Sequence, residues 1–348
     1  MNDMINANTA INTAANDTDA GETTERRGKE IAGKGIGGAQ RCAPRNDMGR
    51  RLVAGALAAV MGLALAACGT TAGNTANAQQ GADDGKIDVV VSVNQWESIA
   101  KDLGGDKVDV TPILANTNVE AHDFESQPND IAKFSKAEVV VVNGADYDHW
   151  ASDATQGTSA TVVNAADGID AKEGDNPHVW FSAKVRTATA DAITAAYQKA
   201  DPDHKDEYAD LNKQWHEKES ELEGKIKEAS VKTKDLPYAA TESVAWYLAD
   251  DLGMKDATPT GYAQASANES EPTSADIKAF QDALKDGKSI KTLVLNTQET
   301  NSTTDQITSA AKEGDVPVVE LTEQMPQEYD DLLDWMSALV DDFAAAAK

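Results

Sequence analysis

The chain has 348 residues and carries 59 Asp and Glu against 31 Lys and Arg, for a formal net charge of −28. So acidic a body excludes nucleic-acid binding through phosphate contacts and suits an exposed monomer that resists association. Its two cysteines, Cys42 and Cys68, both come early, so no downstream domain holds a thiol for a disulfide or a Cys-ligated metal.

Residues 1–47 lack apolar periodicity and read as a disordered extension or a misplaced start ahead of Met48. From Met48 the pattern sharpens. Arg50 and Arg51 precede an apolar run, Leu52–Ala67, too short for a comfortable membrane span. It ends in Leu65-Ala66-Ala67-Cys68, the pattern of a bacterial lipoprotein signal, which makes 48–67 the signal peptide and Cys68 the lipidation site. A short buried helix is the competing reading. Residues 68–87, rich in Gly, Ala, Thr, Asn and Gln, form a flexible tether. Several acyl chains, rather than one, would hold such a body at the membrane surface.

Beyond the tether, strand and helix signals alternate. "KIDVVVSV" is a β-branched run, and "NQWESIAKDLGG" has helical spacing of Trp96, Ile99, Ala100 and Leu103 with a glycine stop. "KVDVTPIL", "EVVVVNG" and "SATVVNA" read as strands, with "PNDIAKFSKA" as a helix. Valine runs between amphipathic helices indicate buried parallel strands. The same order recurs in "LPYAATESVAWYLADDLGM", "SIKTLVLNTQ" and "GDVPVVELTE". "WESIAKDLGG" roughly matches "WYLADDLGM", and the spacing from Trp96 to Asn143 nearly equals that from Trp246 to Asn296. The reading is therefore two similar α/β lobes, 88–183 and 231–348, each with a central parallel sheet flanked by helices. Residues 184–230 are helical in propensity with a break at Asp201-Pro202. They join the lobes as a long rigid helix, which predicts limited lobe motion.

Four loops follow predicted strands, and ligands of open α/β sheets gather outside the carboxyl ends of strands. "NVEAHDFESQPND" holds His122, "DNPHVWFS" His178, "AATESVAW" Glu242 and "VELTEQMPQEY" Glu323. Two come from each lobe, so all four converge on the cleft between them. His149, His204 and His216 are assigned to the surface.

"HDFESQPND", "NGADYDHW" and "NPHVW", downstream of a lipoprotein signal, make the chain from about 88 to 345 resemble the zinc- and manganese-binding proteins of bacterial ABC uptake transporters. The resemblance implies that His122 and His178 are metal ligands. At the third ligand position the family uses His in many zinc binders and Glu in many manganese binders, and Glu242 stands there. The fourth is Asp or Glu after the last strand, best matched by Glu323. Glu320 stays open as the alternative if the alignment slips, although strand alternation would turn it into the lobe.

Two neutral imidazoles and two carboxylates balance a divalent cation, and such ligands suit Zn²⁺ or Mn²⁺. Many zinc-specific members carry a His-rich loop between the first-lobe histidines, and here only His149 lies in that interval. That and Glu242 shade the choice toward Mn²⁺, while the "VVELTEQMP" end resembles sequences assigned to zinc. Zn²⁺ is set slightly ahead.

The expected protein is an extracytoplasmic, lipid-anchored solute-binding protein, not an enzyme. It would pass its metal to an ABC permease driven by a separate ATPase, since no Gly-x-x-x-x-Gly-Lys-[Ser/Thr] loop is present. A metal-dependent hydrolase would use the same residues with one coordination position left for water. A carrier of an organic anion would need an arginine clamp, and Arg186 is the one arginine after Arg51.

Because the ligands bind deprotonated, metal affinity is predicted to collapse below about pH 6, where free imidazole with a pKa near 6.5 gains a proton. Metal titrations at two pH values either side check this; equal affinities would contradict a two-histidine site.

Overall fold

The computed structural model describes residues 85–119 and 124–347. The expected extension, signal, Cys42, Cys68, most of the tether, and His122 lie outside those residues. β1 (Ile87–Val93) leads into α1 (Asn94–Gly104), then β2 (Val108–Leu114), α2 (Pro128–Phe134), β3 (Val139–Val142), α3 (His149–Ala154) and β4 (Thr161–Asn164). The strands are all parallel, in the order β2-β1-β3-β4. All four residues of β3 are buried, as a central parallel strand covered on both faces requires. Pro112 cannot donate to a ladder, and it sits in β2 at the sheet edge. Trp96, Ile99, Ala100 and Leu103 form the buried stripe of α1 that their spacing predicted.

α4 (Ala183–Ala200) and α5 (Lys205–Thr233) follow, separated by a 3₁₀ turn at Pro202–His204. The 29 residues of α5 span about 44 Å. Its buried positions, Tyr208, Trp215, Glu219, Leu222, Ile226, Ala229 and Thr233, fall two turns apart at first and then every three or four residues, and make one seam.

The second sheet is built from β5 (Pro237–Ala240), α6 (Trp246–Asp251), β6 (Lys255–Asp256), α7 (Thr260–Ala267), α8 (Ser274–Lys285), β7 (Thr292–Asn296), α9 (Ser302–Glu313) and β8 (Val318–Leu321). Its parallel order, β6-β5-β7-β8, repeats that of the first. The chain closes with α10 (Leu332–Ala346), which packs along α5 and reaches α1 of the first lobe.

The internal repeat therefore holds in topology, but the tryptophans that suggested it are not equivalent. Trp96 is fully buried in α1, whereas Trp246 is 40% exposed at the start of the shorter α6. The asparagines do correspond: Asn143 directly follows β3 and Asn296 ends β7, the third strand of each sheet.

One hydrophobic core runs through both lobes, with Phe181 and Trp335 5.7 Å apart between ring centroids. Arg186 is part of this packing and not a ligand clamp. Its Nε and Nη2 donate to Glu219 at 3.1 and 2.6 Å, and its Nη1 donates to the Trp180 carbonyl at 3.0 Å. Both charged side chains are buried, so each depends on the other for solvation. Glu219→Ala is expected to lower stability by about 3–5 kcal/mol by stranding the guanidinium. Urea unfolding of the metal-free protein checks this, with Glu219→Gln expected to cost less because it keeps a hydrogen-bonding side chain.

Candidate metal site

The end of β3 sets the first-lobe side of the site. The amides of Asn143 and Gly144 donate to the two oxygens of Asp148 at 2.6 and 2.9 Å. Gly144 has φ +78° and faces the Asn164 side chain where a Cβ would lie, so "NGADYD" closes as a tight turn that only glycine permits there. Burial pushes the Asp148 carboxyl above its ordinary value, against the pull of those amide hydrogen bonds. The turn directs Tyr147 inward, fully buried. The Asn143 side chain donates to the Pro177 carbonyl at 2.8 Å and so ties the strand end to the residue before His178.

His178 is 2% exposed. Asn176 Oδ1 accepts from the His178 amide at 3.0 Å and lies 2.8 Å from its ring Nδ1. An acceptor already fixed by a backbone N–H requires the proton on Nδ1, which directs the Nε2 lone pair into the site. The rings of Trp180 and Tyr147 stand edge-on to the imidazole at 5.5 and 5.9 Å.

The second lobe supplies carboxylates. Glu242 follows β5, and Glu323 follows β8, fully buried. His178 Nε2 lies 3.6 Å from Glu242 Oε1 and 3.9 Å from Glu323 Oε2. One ligand atom from each of the three residues falls within 4.8 Å of the others. A tetrahedral ion with bonds of about 2.1 Å would separate its ligands by about 3.4 Å, so these three atoms fit such an ion after small shifts. Glu320 takes no part: it is exposed on β8, an edge strand, while Val319 and Leu321 take the covered positions. The expectation that alternation turns it into the lobe is corrected by that register. His149 is exposed at the start of α3, and His204 and His216 pair with Asp201 and Asp191.

Sequence reading missed the residues that hold these groups. Asn296 Nδ2 donates to Glu242 Oε2 at 2.6 Å and to Glu323 Oε1 at 2.9 Å. Tyr147 Oη donates to Glu323 Oε2 at 2.9 Å and accepts from Gln324 Nε2 at 2.8 Å. Gln298 Oε1 accepts from the amides of Glu323 and Gln324. From the first lobe, Gln95 donates to the Glu323 carbonyl at 2.7 Å, and Asn94 exchanges hydrogen bonds with the Met325 backbone. Asn176 also crosses the lobes, donating to the Ser243 carbonyl at 2.7 Å, and its own carbonyl accepts from Tyr247 Oη at 2.9 Å. The asparagine in "NPHVW" was the available signal for that role.

Residues 89–346 match the family model described as zinc-uptake complex component A, periplasmic. The chain is 27% identical over 245 residues to the high-affinity zinc uptake system protein ZnuA of Bacillus subtilis (strain 168), covering 64% of this chain and 74% of that one. It is 26% identical over 274 residues to the manganese-binding lipoprotein MntA of the same organism, covering 74% and 85%. Among solved structures, a ZnuA crystal structure superposes with a TM-score of 0.63 at 19% identity, over 76% of this chain and all of that one. The metal-dependent lipoprotein YcdH of Bacillus subtilis gives a TM-score of 0.58 at 25% identity, covering 74% and 98%. The chain belongs to this family of metal-binding, solute-binding components of ABC uptake systems.

Asn176→Ala should free the His178 ring to rotate and to shift tautomer, with an expected loss of metal affinity of about 10–100-fold. Competition against a chelating dye measures it, with His149→Ala as a control expected to bind as the unaltered protein does.

Proposed function

We propose that this protein captures a divalent transition metal between its lobes and delivers it to a membrane permease powered by a separate ATPase. His178, Glu242 and Glu323 are three ligands, and His122 is the fourth. Zn²⁺ is favoured slightly over Mn²⁺. The observation that carries this reading is the convergence of one imidazole nitrogen and two carboxylate oxygens from different lobes in a largely buried cleft. Such a set is costly to bury without a cation, and two imidazoles with two carboxylates balance a divalent charge. Glu242 is the more exposed of the three, so it is the ligand an incoming ion meets first.

Relatives described as a zinc uptake protein and a manganese-binding lipoprotein support capture for transport rather than catalysis. The lipoprotein relative also supports anchoring through Cys68 on the outer side of the cell membrane, and the net charge of −28, which resists association, favours a monomer. No helix among the described residues is long and apolar enough to cross a membrane.

Purified protein is expected to bind one equivalent of Zn²⁺ or Mn²⁺, read by elemental analysis and by competition between the two ions. His178→Ala and Glu323→Ala should each lose tight stoichiometric binding. Full retention by His178→Ala would remove that residue from the site, and the absence of any stoichiometric binding by the unaltered protein would overturn the function.

A further inference from the structure

The asparagine ending β7 does more than complete a strand. Asn296 is 1% exposed, and its amide orientation is fixed because its Oδ1 accepts from the Gln298 backbone N–H at 3.0 Å. Its backbone N–H donates to Thr241 Oγ1 at 3.2 Å, beside Glu242. The two hydrogens of Nδ2 are thereby aimed at one oxygen of each glutamate, Oε2 of Glu242 and Oε1 of Glu323. The oxygens that face His178 Nε2 are the others, Oε1 of Glu242 and Oε2 of Glu323.

We infer that Asn296 is a positioning residue that engages one oxygen of each glutamate and so makes each a one-oxygen ligand of the captured ion. This inference rests on the metal-capture reading above. A carboxylate binds an ion through both oxygens only when both approach it about equally, and the amide engages one oxygen of each pair. A carboxylate has room for this division, since each oxygen offers about two lone pairs. Glu323 Oε2 thus accepts from Tyr147 while lying 3.9 Å from His178 Nε2. With the two imidazoles of the ligand set proposed above, two one-oxygen carboxylates would total four donors, the tetrahedral number that Zn²⁺ adopts in closed protein sites. Mn²⁺ favours six-coordinate, oxygen-rich surroundings, and the second carboxylate oxygens that would help to supply them are the ones Asn296 holds. Selectivity would then come from a residue that never touches the metal.

The test uses Asn296→Ala and the similarly sized Asn296→Leu, whose side chain neither donates nor accepts. Both are compared with the unaltered protein by Zn²⁺ and Mn²⁺ affinities and by the visible absorption of bound Co²⁺, which is strong in four-coordinate sites and weak in six-coordinate ones. The unaltered protein should give strong Co²⁺ bands. In each folded variant the bands should weaken, Zn²⁺ affinity should fall about 10–100-fold, and the ratio of Zn²⁺ to Mn²⁺ affinity should drop about tenfold. Thermal melting of the metal-free proteins establishes which variant is folded; if the alanine variant is not, the leucine variant decides. An unchanged Co²⁺ spectrum and an unchanged affinity ratio in a folded variant would overturn the role of Asn296 while leaving metal capture standing. Failure of the unaltered protein to bind any of the three ions would overturn both.

Discussion

Everything about the cleft depends on holding like charges together where water cannot separate them. Glu242 and Glu323 offer oxygens within 4.8 Å of each other and of the His178 imidazole. Two unit charges at that range repel by about 3–4 kcal/mol at an effective dielectric near 20. The protein offsets this with donors: Asn296 to both glutamates, and Tyr147 to Glu323. None of these donors carries a charge. They orient the carboxylates without neutralising them, which leaves the attraction for a cation intact.

The second constraint is that the site spans two lobes yet its geometry is fixed across them. Asn94, Gln95 and Ser98 on α1 bind the backbone of the 323–332 segment. Asn176 reaches the loop after β5, and Tyr247 reaches back to Asn176. The core is continuous beneath them, from the strands of the first sheet to α10. Opening the lobes as rigid halves would break these hydrogen bonds together with apolar packing. The contacts between the lobes themselves therefore resist such an opening.

The repeated sheet order explains why asparagine appears twice in equivalent places. Asn143 and Asn296 each stand where the third strand of a sheet gives out. A backbone ending there leaves room for one short amide to reach the neighbouring loops. In the first lobe it holds the carbonyl before His178, and in the second it holds both glutamates. The same position in two copies of one fold has taken on two related tasks.

The parallel strands, their amphipathic helices and the two-lobe order were legible because burial of valine runs and helical stripes is a periodic property of the chain. His178, Glu242 and Glu323 were legible as loop residues following strands, and the α/β rule drew those loops to one place. The supporting asparagines, glutamines and Tyr147 were not, since Asn176, Asn296 and Gln298 look like ordinary turn residues until their partners are known. Those partners lie far away: Tyr147 and Glu323 are 176 positions apart, and Asn94 and Met325 are 231 apart. Sequence alone determined the class of fold, the absence of thiols downstream of Cys68 and the donor chemistry available to a metal. Only the tertiary structure decided that Glu323 and not Glu320 enters the cleft, and which oxygen of each glutamate faces it. Hydrogen-bond direction depends on where two distant backbones end up, and no local pattern in the sequence encodes that.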